Sequence, residues 1–515
     1  MLEEERKYDV DTAFRLPLLT EALPKGGTVV PLPPKTLRAT YYDTETARLA
    51  RAGISVRYRS GERGKPPWTV KLPTSGAAEA RDEINRDGTK GTMPAELVTL
   101  LTAYHRGAPL VPAVTIRTVR RAYELRSRTG EVLVEVADDT VSVLDGRDVT
   151  SQFREIEVER KEGGTKLLDR IEAILVDAGA NRGAFLPKHA RAMGERAAAP
   201  PDLTPPTAPS SGGRPTAGDI VVTAVRKHIE KIFQADPYLR LRTAMPDGDT
   251  PVHQMRVGCR RLRSDLRTFK PLLDPQWSDN LRAGASWLAE VLGVARDAEV
   301  LRERLQRTAG ADPVAPLDPA AVARFDADLA ARHEDALQAL ENVLGSERYA
   351  TLLDVLVEAA REPQLGAAAE EKADVALTRL VARPWRQLST SGRGRVGAGD
   401  LDVLGLDDDW HSVRIRAKRA RYAVESVAKL IGGSAAALGE SLTEVQELLG
   451  EHQDAAIAAE TWLAIARSDV DDHALAVAAG RLVERERAAV RRARERFPAA
   501  WALADTPEHT GWLRS

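Results

Sequence analysis

Two stretches in the second half of the chain place a histidine ahead of closely spaced basic residues. The first stretch begins at His253, and the second begins at His411, which lies 158 positions later. Each stretch precedes a Leu-Gly-x-x-x-Asp-Ala element, and these elements begin at Leu292 and Leu449. Two motifs repeated in one order at nearly one spacing predict a duplicated unit. Because arginine and lysine side chains suit the oxygens of anions, each copy predicts an anion-binding surface.

Helical periodicity gathers these basic residues on one side of each predicted helix. At 100° per residue the first set spans about 80°, and the apolar Met255 and Cys259 fall on the opposite side. An ordinary solvated face is the alternative, but such a face gains from opposite charges one turn apart, whereas these charges are nearly all positive. The predicted anion-binding residues are His253, Arg256, Arg260, Arg263 and Arg267 in the first copy, and His411, Arg414, Lys418 and Arg421 in the second.

Alternating residues in the first half predict strands on which charged side chains share one face. A solvated sheet surface would explain any one of these strands. A closed antiparallel sheet would instead direct all of them into one polar lumen, where acids hold a divalent metal and cations hold phosphate oxygens. Metal-assisted phosphate chemistry requires that combination. The faces contain Glu3, Glu5 and Lys7, then Arg57 and Arg59, then Lys71, and finally Glu155, Glu157 and Glu159.

The composition limits the classes of function. A net charge of −2 over 515 residues makes the basic stretches local features, which argues against general nucleic-acid binding. The single cysteine, Cys259, excludes a disulfide within the chain. The acidic start and the lack of an apolar run of about 18 residues predict no signal peptide, no membrane span and a cytoplasmic location. The sequence also lacks a Walker loop, a zinc-protease motif and a serine-hydrolase elbow.

A stretch rich in proline, alanine, serine and glycine divides the chain. Strand-like alternation precedes this stretch, and helical periodicity follows it. We therefore predict an α+β multidomain protein with a first domain at residues 1–196, a flexible linker at 197–217 and an all-helical domain at 218–508. The duplicated motifs divide the helical domain into halves of about 218–345 and 346–508.

The run from Glu3 to Lys7 matches the E-x-E-x-K signature that opens the CYTH, or triphosphate tunnel, superfamily. Over about residues 1–195 the chain resembles this superfamily. The resemblance implies an eight-stranded antiparallel tunnel that binds triphosphate with Mg²⁺ or Mn²⁺. The other motifs that carry it are Tyr41-Tyr42-Asp43-Thr44, Val56-Arg57-Tyr58-Arg59, Thr69-Val70-Lys71-Leu72, Arg81-Asp82-Glu83, Glu155-Ile156-Glu157-Val158-Glu159 and Pro187-Lys188-His189-Ala190-Arg191.

The same resemblance implies roles for individual residues. Glu3, Glu5, Glu157 and Glu159 match the metal-binding acids, and Lys7, Arg57, Arg59, Lys71, Arg120 and Lys188 match the substrate-binding positions. Lys7, Glu5 and Glu157 are the predicted catalytic residues. Arg120 is preferred to Arg121, although spacing alone assigns neither to a face. Glu135 and Asp139 are further candidates for polar contacts to metal or water, and a metal-ordered water is the expected nucleophile.

The duplicated half is similar to a CHAD domain over about residues 218–508. The similarity implies two helical halves related by pseudo-twofold symmetry, with a basic central surface that binds inorganic polyphosphate. The leading hypothesis is a CYTH–CHAD protein that hydrolyses inorganic triphosphate or short polyphosphate and associates with polyphosphate granules. The alternatives are a non-catalytic polyphosphate-binding adaptor, a class IV-like adenylate cyclase and a helical domain that binds nucleic acid. The sequence indicates no oligomeric state.

Overall fold

The computed structural model describes residues 2–61, 64–73, 80–182, 187–207, 214–392 and 394–513, without the side chains of Leu2, Glu3 and Ala80. The chain divides into two compact units, Met1–Asp202 and Leu203–Ser515. The first unit combines a sheet with short helices, and the second unit is helical. The predicted α+β multidomain class is therefore confirmed. Within the described residues, no helix combines the length and apolar character that crossing a membrane requires.

The first unit contains nine strands and six α-helices among the residues that the structure describes. The strands are β1 (Leu2–Val10), β2 (Thr28–Pro31), β3 (Lys35–Asp43), β4 (Ser55–Ser60), β5 (Trp68–Pro73), β6 (Ala80–Arg86), β7 (Val111–Arg126), β8 (Val132–Asp145) and β9 (Asp148–Arg160). The helices are α1 (Arg48–Arg51), α2 (Ala95–Leu100), α3 (Thr102–His105), α4 (Thr165–Asp177), α5 (Lys188–Met193) and α6 (Glu195–Ala198).

Eight of these strands close into a ring. Hydrogen-bonded neighbours follow the order β7, β3, β4, β5, β6, β1, β9 and β8, and β8 pairs again with β7. All these pairings are antiparallel, and the short β2 extends the sheet along the end of β7. A closed ring has no free edge, and alternate residues of every strand face its interior. The predicted eight-stranded antiparallel tunnel is confirmed.

Helix α4 determines which face of the neighbouring strands points outward. Ile156 and Val158 of β9 are fully buried and pack in one cluster with apolar residues of α4. Burial of a side chain of this size stabilises the fold by roughly 1.5–3 kcal/mol. Because successive strand residues point to opposite faces, this packing directs the intervening acidic residues toward the interior of the ring.

The first unit extends beyond the predicted boundary at residue 196. Asp202 forms ion pairs with Arg48 at 3.2 Å, with Arg51 at 2.8 Å and with Arg106 at 2.5 Å. Ala197 is buried against α1 and α5. These contacts hold residues 197–202, the start of the predicted linker, against the first unit.

The second unit contains ten α-helices within the described residues. They are α7 (Ala217–Leu241), α8 (Pro251–Thr268), α9 (Pro275–Ala309), α10 (Pro319–Leu344), α11 (Glu347–Arg361), α12 (Ala373–Ser389), α13 (Asp407–Ile431), α14 (Gly433–Arg467), α15 (His473–Ala504) and α16 (Pro507–Thr510). The Thr250 side chain caps α8 by accepting a hydrogen bond from the His253 backbone, and Pro251 begins the helix. Three aspartates begin α13, where negative charge is favourable.

The duplicated motifs occupy equivalent helices. The first copy lies on α8 and α9, and the second lies on α13 and α14. Helix α11 packs against α7 and α9 of the first copy, and the Tyr349 hydroxyl donates a hydrogen bond of 2.7 Å to Asp236. The structure therefore places the division between the copies after α11, rather than near the predicted residue 345.

A buried ion pair joins the two copies. Arg304 of α9 contacts Glu486 of α15 at 2.6 Å and Glu451 of α14 at 2.8 Å. The side chain of Glu486 is 1% exposed, whereas that of Glu451 is 44% exposed. Thr308 also donates a hydrogen bond of 3.1 Å to Glu486. A partner lost from a buried pair leaves the other charge without compensation in a medium of low polarity.

Replacing Glu486 with leucine is expected to lower the free energy of unfolding by about 3 kcal/mol, because Arg304 keeps its charge and loses its buried partner. Urea-induced unfolding of the full chain, followed by circular dichroism, measures this change. Glu451→Leu is the matched control, and the solvent exposure of Glu451 predicts a loss below about 1 kcal/mol. Equal losses in the two variants would contradict the burial argument.

Candidate functional site

The ring of strands encloses a cavity of about 640 Å³. Ten basic and six acidic side chains lie on its wall among the described residues. The predicted residues on this wall are Glu5, Lys7, Arg57, Arg59, Lys71, Arg120, Glu157, Glu159 and Lys188. Glu3 was also predicted here, but its side chain lies outside the described residues. Residues from eight strands and from α5 thus line one cavity.

The carboxylate of Glu157 contacts three cations at the centre of this wall. Lys7 lies opposite it on β1, with Nζ 2.6 Å from Oε1. Lys188 Nζ lies 2.7 Å from the same oxygen, and Arg120 Nη2 lies 2.5 Å from Oε2. Burial alone would raise the pKa of Glu157, but the charges of Lys188, Lys7 and Arg120 hold it well below its ordinary value. The carboxylate is therefore ionised at neutral pH.

Lys188 reaches the cavity from the first turn of α5. Its Nζ lies 2.8 Å from Asp139 and 2.8 Å from Glu155, in addition to its contact with Glu157. Burial lowers the pKa of Lys188, but Asp139, Glu157 and Glu155 raise it well above its usual value. This ammonium group therefore stays charged although it is almost fully enclosed.

The structure distinguishes Arg120 from Arg121, which sequence spacing could not. Arg120 lies opposite Asp139 in the strand register, and its Nε and Nη2 donate to the two carboxylate oxygens at 2.8 and 2.6 Å. Arg120 lines the cavity, whereas Arg121 is exposed. A bidentate contact fixes the guanidinium plane as well as its position.

Three carboxylates form a row across adjacent strands. Glu5 on β1 and Glu135 on β8 both lie opposite Glu159 on β9, and all three line the cavity. Directly opposed residues have Cβ atoms about 4.5–5.5 Å apart, so like charges here repel. Lys7 lies 3.2 Å from Glu5, and Lys161 pairs with Glu159, which relieves part of this repulsion.

Metal binding at this row depends on the chemistry and position of its donors. The described side chains contain no group of three histidine, cysteine, aspartate or glutamate residues already converged on one point. However, Glu5, Glu159 and Glu135 offer hard oxygen donors at directly opposed positions, which suits Mg²⁺ or Mn²⁺. These residues therefore fit a divalent cation, although Glu157 of the predicted set is held by three basic side chains.

Several cavity residues were not singled out by sequence reasoning. Arg81 and Glu83 alternate on β6 within the motif Arg81-Asp82-Glu83, so strand periodicity could have placed them on one face. Lys35 lies opposite Arg120 in the strand register, which only the fold reveals. The residues missed are Lys35, Lys65, Arg81, Glu83 and Lys161.

An aromatic pair adjoins the cationic wall. The rings of Tyr41 and His189 stack with centroids 5.0 Å apart and planes inclined by 15°. Burial, and after it the charge of Lys7, lowers the pKa of His189 to about 3. His189 is therefore uncharged near neutral pH, which excludes it as a general acid there.

In the second unit, the two predicted anion-binding helices contact each other. Arg260 of α8 donates to the Tyr422 hydroxyl of α13 at 3.2 Å. In each copy the aspartate of the Leu-Gly-x-x-x-Asp-Ala element lies near the first arginine, with Arg256–Asp297 at 3.7 Å and Arg414–Asp454 at 3.6 Å. The two duplicated motifs therefore meet in the same way in both copies.

Positive charge is concentrated between these helices. The buried Nε atoms of Arg256, Arg260 and Arg414 have no hydrogen-bond partner among the described residues. Burial, and after it the charges of Arg414 and Arg260, lowers the pKa of Lys418 to about 7. These four residues form what we call the central basic cluster, and their mutual repulsion suits them to an anion.

The remaining predicted residues of this surface have different surroundings. Burial is the main cause that lowers the pKa of His253, and Asp249 lies 3.8 Å from its ring. His411 is exposed and lies 2.7 Å from the Gln453 side chain. Arg421 forms an ion pair of 2.6 Å with Glu425. The other two members of the predicted set, Arg263 and Arg267, lie near Arg419.

Comparison with known families supports both parts of this description. The family model for the CYTH domain matches residues 1–181, and the family model for the CHAD domain matches residues 223–464. The uncharacterized protein Rv2226 of Mycobacterium tuberculosis H37Rv is 32% identical over 527 residues, which cover 98% of this chain and 96% of that protein. This chain is a CYTH–CHAD protein. Its first unit therefore belongs to the triphosphate tunnel family.

Two solved structures share parts of the CYTH–CHAD chain at lower similarity. PptA from Streptomyces chartreusis is 23% identical, covers 56% of this chain and 99% of its own, and has a TM-score of 0.43. HpAC1 from Hippeastrum, an adenylyl cyclase candidate described as having a dominant triphosphatase activity, is 20% identical. It covers 36% of this chain and 93% of its own, with a TM-score of 0.25. The family assignment rests on the family models and on the full-length relative.

Replacing Glu157 with glutamine is expected to destabilise the CYTH domain by about 2 kcal/mol, because Lys7, Arg120 and Lys188 would repel one another without their shared carboxylate. Urea-induced unfolding of the full chain measures this loss. Tripolyphosphate should restore part of it, since an anion that binds the folded state stabilises it. Glu159→Gln removes a more exposed carboxylate and is the control. A Glu157→Gln variant as stable as the wild type would contradict the proposed electrostatic role.

Proposed function

We propose that the CYTH domain hydrolyses inorganic triphosphate or short polyphosphate with a divalent metal, and that the CHAD domain binds longer polyphosphate. The main support is the excess of basic over acidic side chains around a closed cavity. A phosphate chain presents several adjacent negative charges, and this arrangement of cations is complementary to it. Membership of the triphosphate tunnel family is consistent with the same substrate class.

The chain's own residues would bind and orient the phosphates. Lys7, Arg120 and Lys188 already point toward one carboxylate, and phosphate oxygens compete for the same cations. Arg57 and Lys71, on neighbouring strands, extend the basic wall for the rest of the phosphate chain. Fixed positive groups stabilise the charge that develops on the transferring and leaving phosphates without reorganising during the reaction.

The metal would be held by the row of carboxylates. Glu5, Glu159 and Glu135 are the residues best placed for Mg²⁺ or Mn²⁺, and Glu3 is predicted to join them. Glu157 can also contribute once phosphate oxygens replace it at its three cations. When bound, the metal would neutralise part of the phosphate charge and order the attacking water.

The exposed neighbour of Arg120 provides a matched test of the active site. Arg120→Met is expected to lower phosphate release from tripolyphosphate with Mg²⁺ by roughly 100-fold, because one preorganised cation is lost from the cavity. Arg121→Met should keep wild-type activity, because that side chain lies outside the cavity. Lys7→Ala and Glu5→Ala should also lose activity, and circular dichroism verifies that each variant is folded. Equal activity of the two arginine variants would remove the proposed site.

The same assay separates the alternative functions. Tight tripolyphosphate binding without phosphate release, across several divalent metals, would support the non-catalytic adaptor. Formation of cyclic AMP from ATP would instead support adenylate cyclase activity, which uses the same tunnel on a nucleotide. Phosphate release that depends on Arg120 supports hydrolysis.

Anion binding by the CHAD domain is expected to weaken as pH rises through about 7, because Lys418 then loses its proton. Arg414 on the same helix and Arg256 and Arg260 on α8 oppose its charge, whereas Asp454 on α14 favours it. Bound phosphate favours the charged form, so binding above this pH should take up a proton. Isothermal titration calorimetry in buffers of different ionisation enthalpy measures that uptake.

Lys418→Arg is the control for this pH dependence, because arginine stays charged throughout the range. The variant should bind long-chain polyphosphate with the same affinity at pH 8 as at pH 6. The contribution from titration of the polyphosphate itself is the same for both proteins and is subtracted. The same pH dependence in both proteins would show that Lys418 is not its source.

A further inference from the structure

The charged residues around α8 and α13 differ between the two copies of the duplicated unit. The offset of 158 residues makes Arg261 equivalent to Arg419, and it makes Arg267 equivalent to Glu425. The position that holds the acidic Glu425 on one side of the helix pair thus holds the basic Arg267 on the other side. The two sides of the CHAD domain consequently differ in charge although they descend from one repeat.

Glu425 neutralises its side of the helix pair. Its carboxylate lies 2.7 Å from Arg261 and 2.6 Å from Arg421. The guanidinium of Arg261 also lies over the Tyr422 ring, 4.9 Å from the centroid. Both arginines thus have a carboxylate partner, and the guanidinium of Arg421 also lies over the Tyr422 ring, 6.0 Å from the centroid.

The opposite side keeps its positive charge. Burial, and after it the charges of Arg267, Arg263 and Arg416, lowers the pKa of Arg419. The pKa of Arg416 is likewise lowered by burial and then by Arg395, with Asp409 acting in the opposite direction. We call these residues the five-arginine cluster; it comprises Arg263, Arg267, Arg395, Arg416 and Arg419.

Polar atoms around the five-arginine cluster lack partners. The buried Nε atoms of Arg395 and Arg416 form no hydrogen bond within the described residues. The position equivalent to Tyr422 is Ser264, whose buried hydroxyl also has no partner there. A small polar side chain thus occupies the position at which the other copy has the ring that lies against Arg261. Unsatisfied hydrogen-bond donors within a group of like charges indicate a site for an anion.

We propose that the five-arginine cluster binds the continuation of a long condensed-phosphate chain that starts at the central basic cluster. This inference rests on the proposed polyphosphate binding and adds a direction to it. Arg260 of the central basic cluster and Arg267 are seven residues apart on α8, a rise of about 10 Å. Arg263 lies between them, so one flexible chain can contact both clusters. Polyphosphate therefore extends from the centre toward the Arg419 side and not toward the Glu425 side.

A condensed phosphate fits this site better than a nucleic acid. Single-stranded nucleic acids bind through aromatic side chains that stack on bases as well as through cations. The described members of the cluster are all arginines, and Tyr422 on the opposite side is covered by Arg261. The cluster thus supplies charge and hydrogen-bond donors, which is what a chain of phosphates without bases requires.

The equivalent arginines provide the test. We expect Arg419→Ala in the full chain to weaken binding of long-chain polyphosphate by about tenfold, the loss of one charge-assisted contact. Binding of tripolyphosphate to the full chain without divalent metal, in the tunnel and at the central basic cluster, should change by less than about twofold, because Arg419 belongs to neither site. Arg261→Ala, the matched control, should weaken long-chain binding much less because Glu425 already neutralises that arginine. The dependence of log affinity on log salt should fall by about 0.7–0.9 for Arg419→Ala, as for one polyanion contact.

A second variant tests the proposal by gain of function. Glu425→Arg should create a similar cluster on the other side and strengthen long-chain binding, whether or not Arg419→Ala folds. Equal losses for Arg419→Ala and Arg261→Ala, or no gain for Glu425→Arg, would overturn the proposed direction. Preference for single-stranded RNA over polyphosphate, lost in Arg419→Ala, would overturn the assigned ligand. Wild-type protein that binds no polyphosphate would refute the proposed function itself.

Discussion

Both domains place like charges close together, and the resulting repulsion is compensated differently in each domain. In the CYTH domain, acidic side chains lie among the basic ones on the cavity wall, and Glu157 holds three cations at hydrogen-bond distance. In the CHAD domain, acids lie farther from the central basic cluster, with the nearest arginine–aspartate contacts at 3.6 and 3.7 Å. The first arrangement fixes each charged group in place, whereas the second leaves repulsion that an anion can relieve.

This contrast has consequences for chemistry. A reaction centre needs groups held in position before the substrate arrives, because fixed dipoles and charges lower a barrier without reorganising. Ion pairs within the tunnel provide that rigidity, and closure of the sheet prevents the strands from separating at an edge. A binding surface for a long, variable polymer has no such requirement. Partly unsatisfied arginines can instead adapt to different positions of the phosphate chain.

The sequence predicted most of the charged residues that line the cavity, but it did not predict the domain boundaries. Alternation along β9 correctly placed Glu157 inside because α4 buries the intervening apolar residues. The same reasoning could not choose between Arg120 and Arg121, because only the register opposite Asp139 decides which one points inward. The linker boundary was placed too early since composition does not reveal that Asp202 pairs with distant arginines. The division of the CHAD domain was misplaced for a related reason, because α11 packs against the first copy.

Duplication explains both the shared and the divergent features of the CHAD domain. In each copy the first arginine of the basic helix lies near the aspartate of the following helix, at 3.7 Å between α8 and α9 and at 3.6 Å between α13 and α14. Residues at the contact between the two copies differ from those inside a copy. A substitution at such a residue changes the charge on only one side of the pseudo-twofold axis. Glu425 and Arg267 occupy such positions and differ in sign. Two similar halves can therefore form a binding surface that differs between its two sides. Substitutions at the contact between the halves produce this difference without disturbing the packing inside either half.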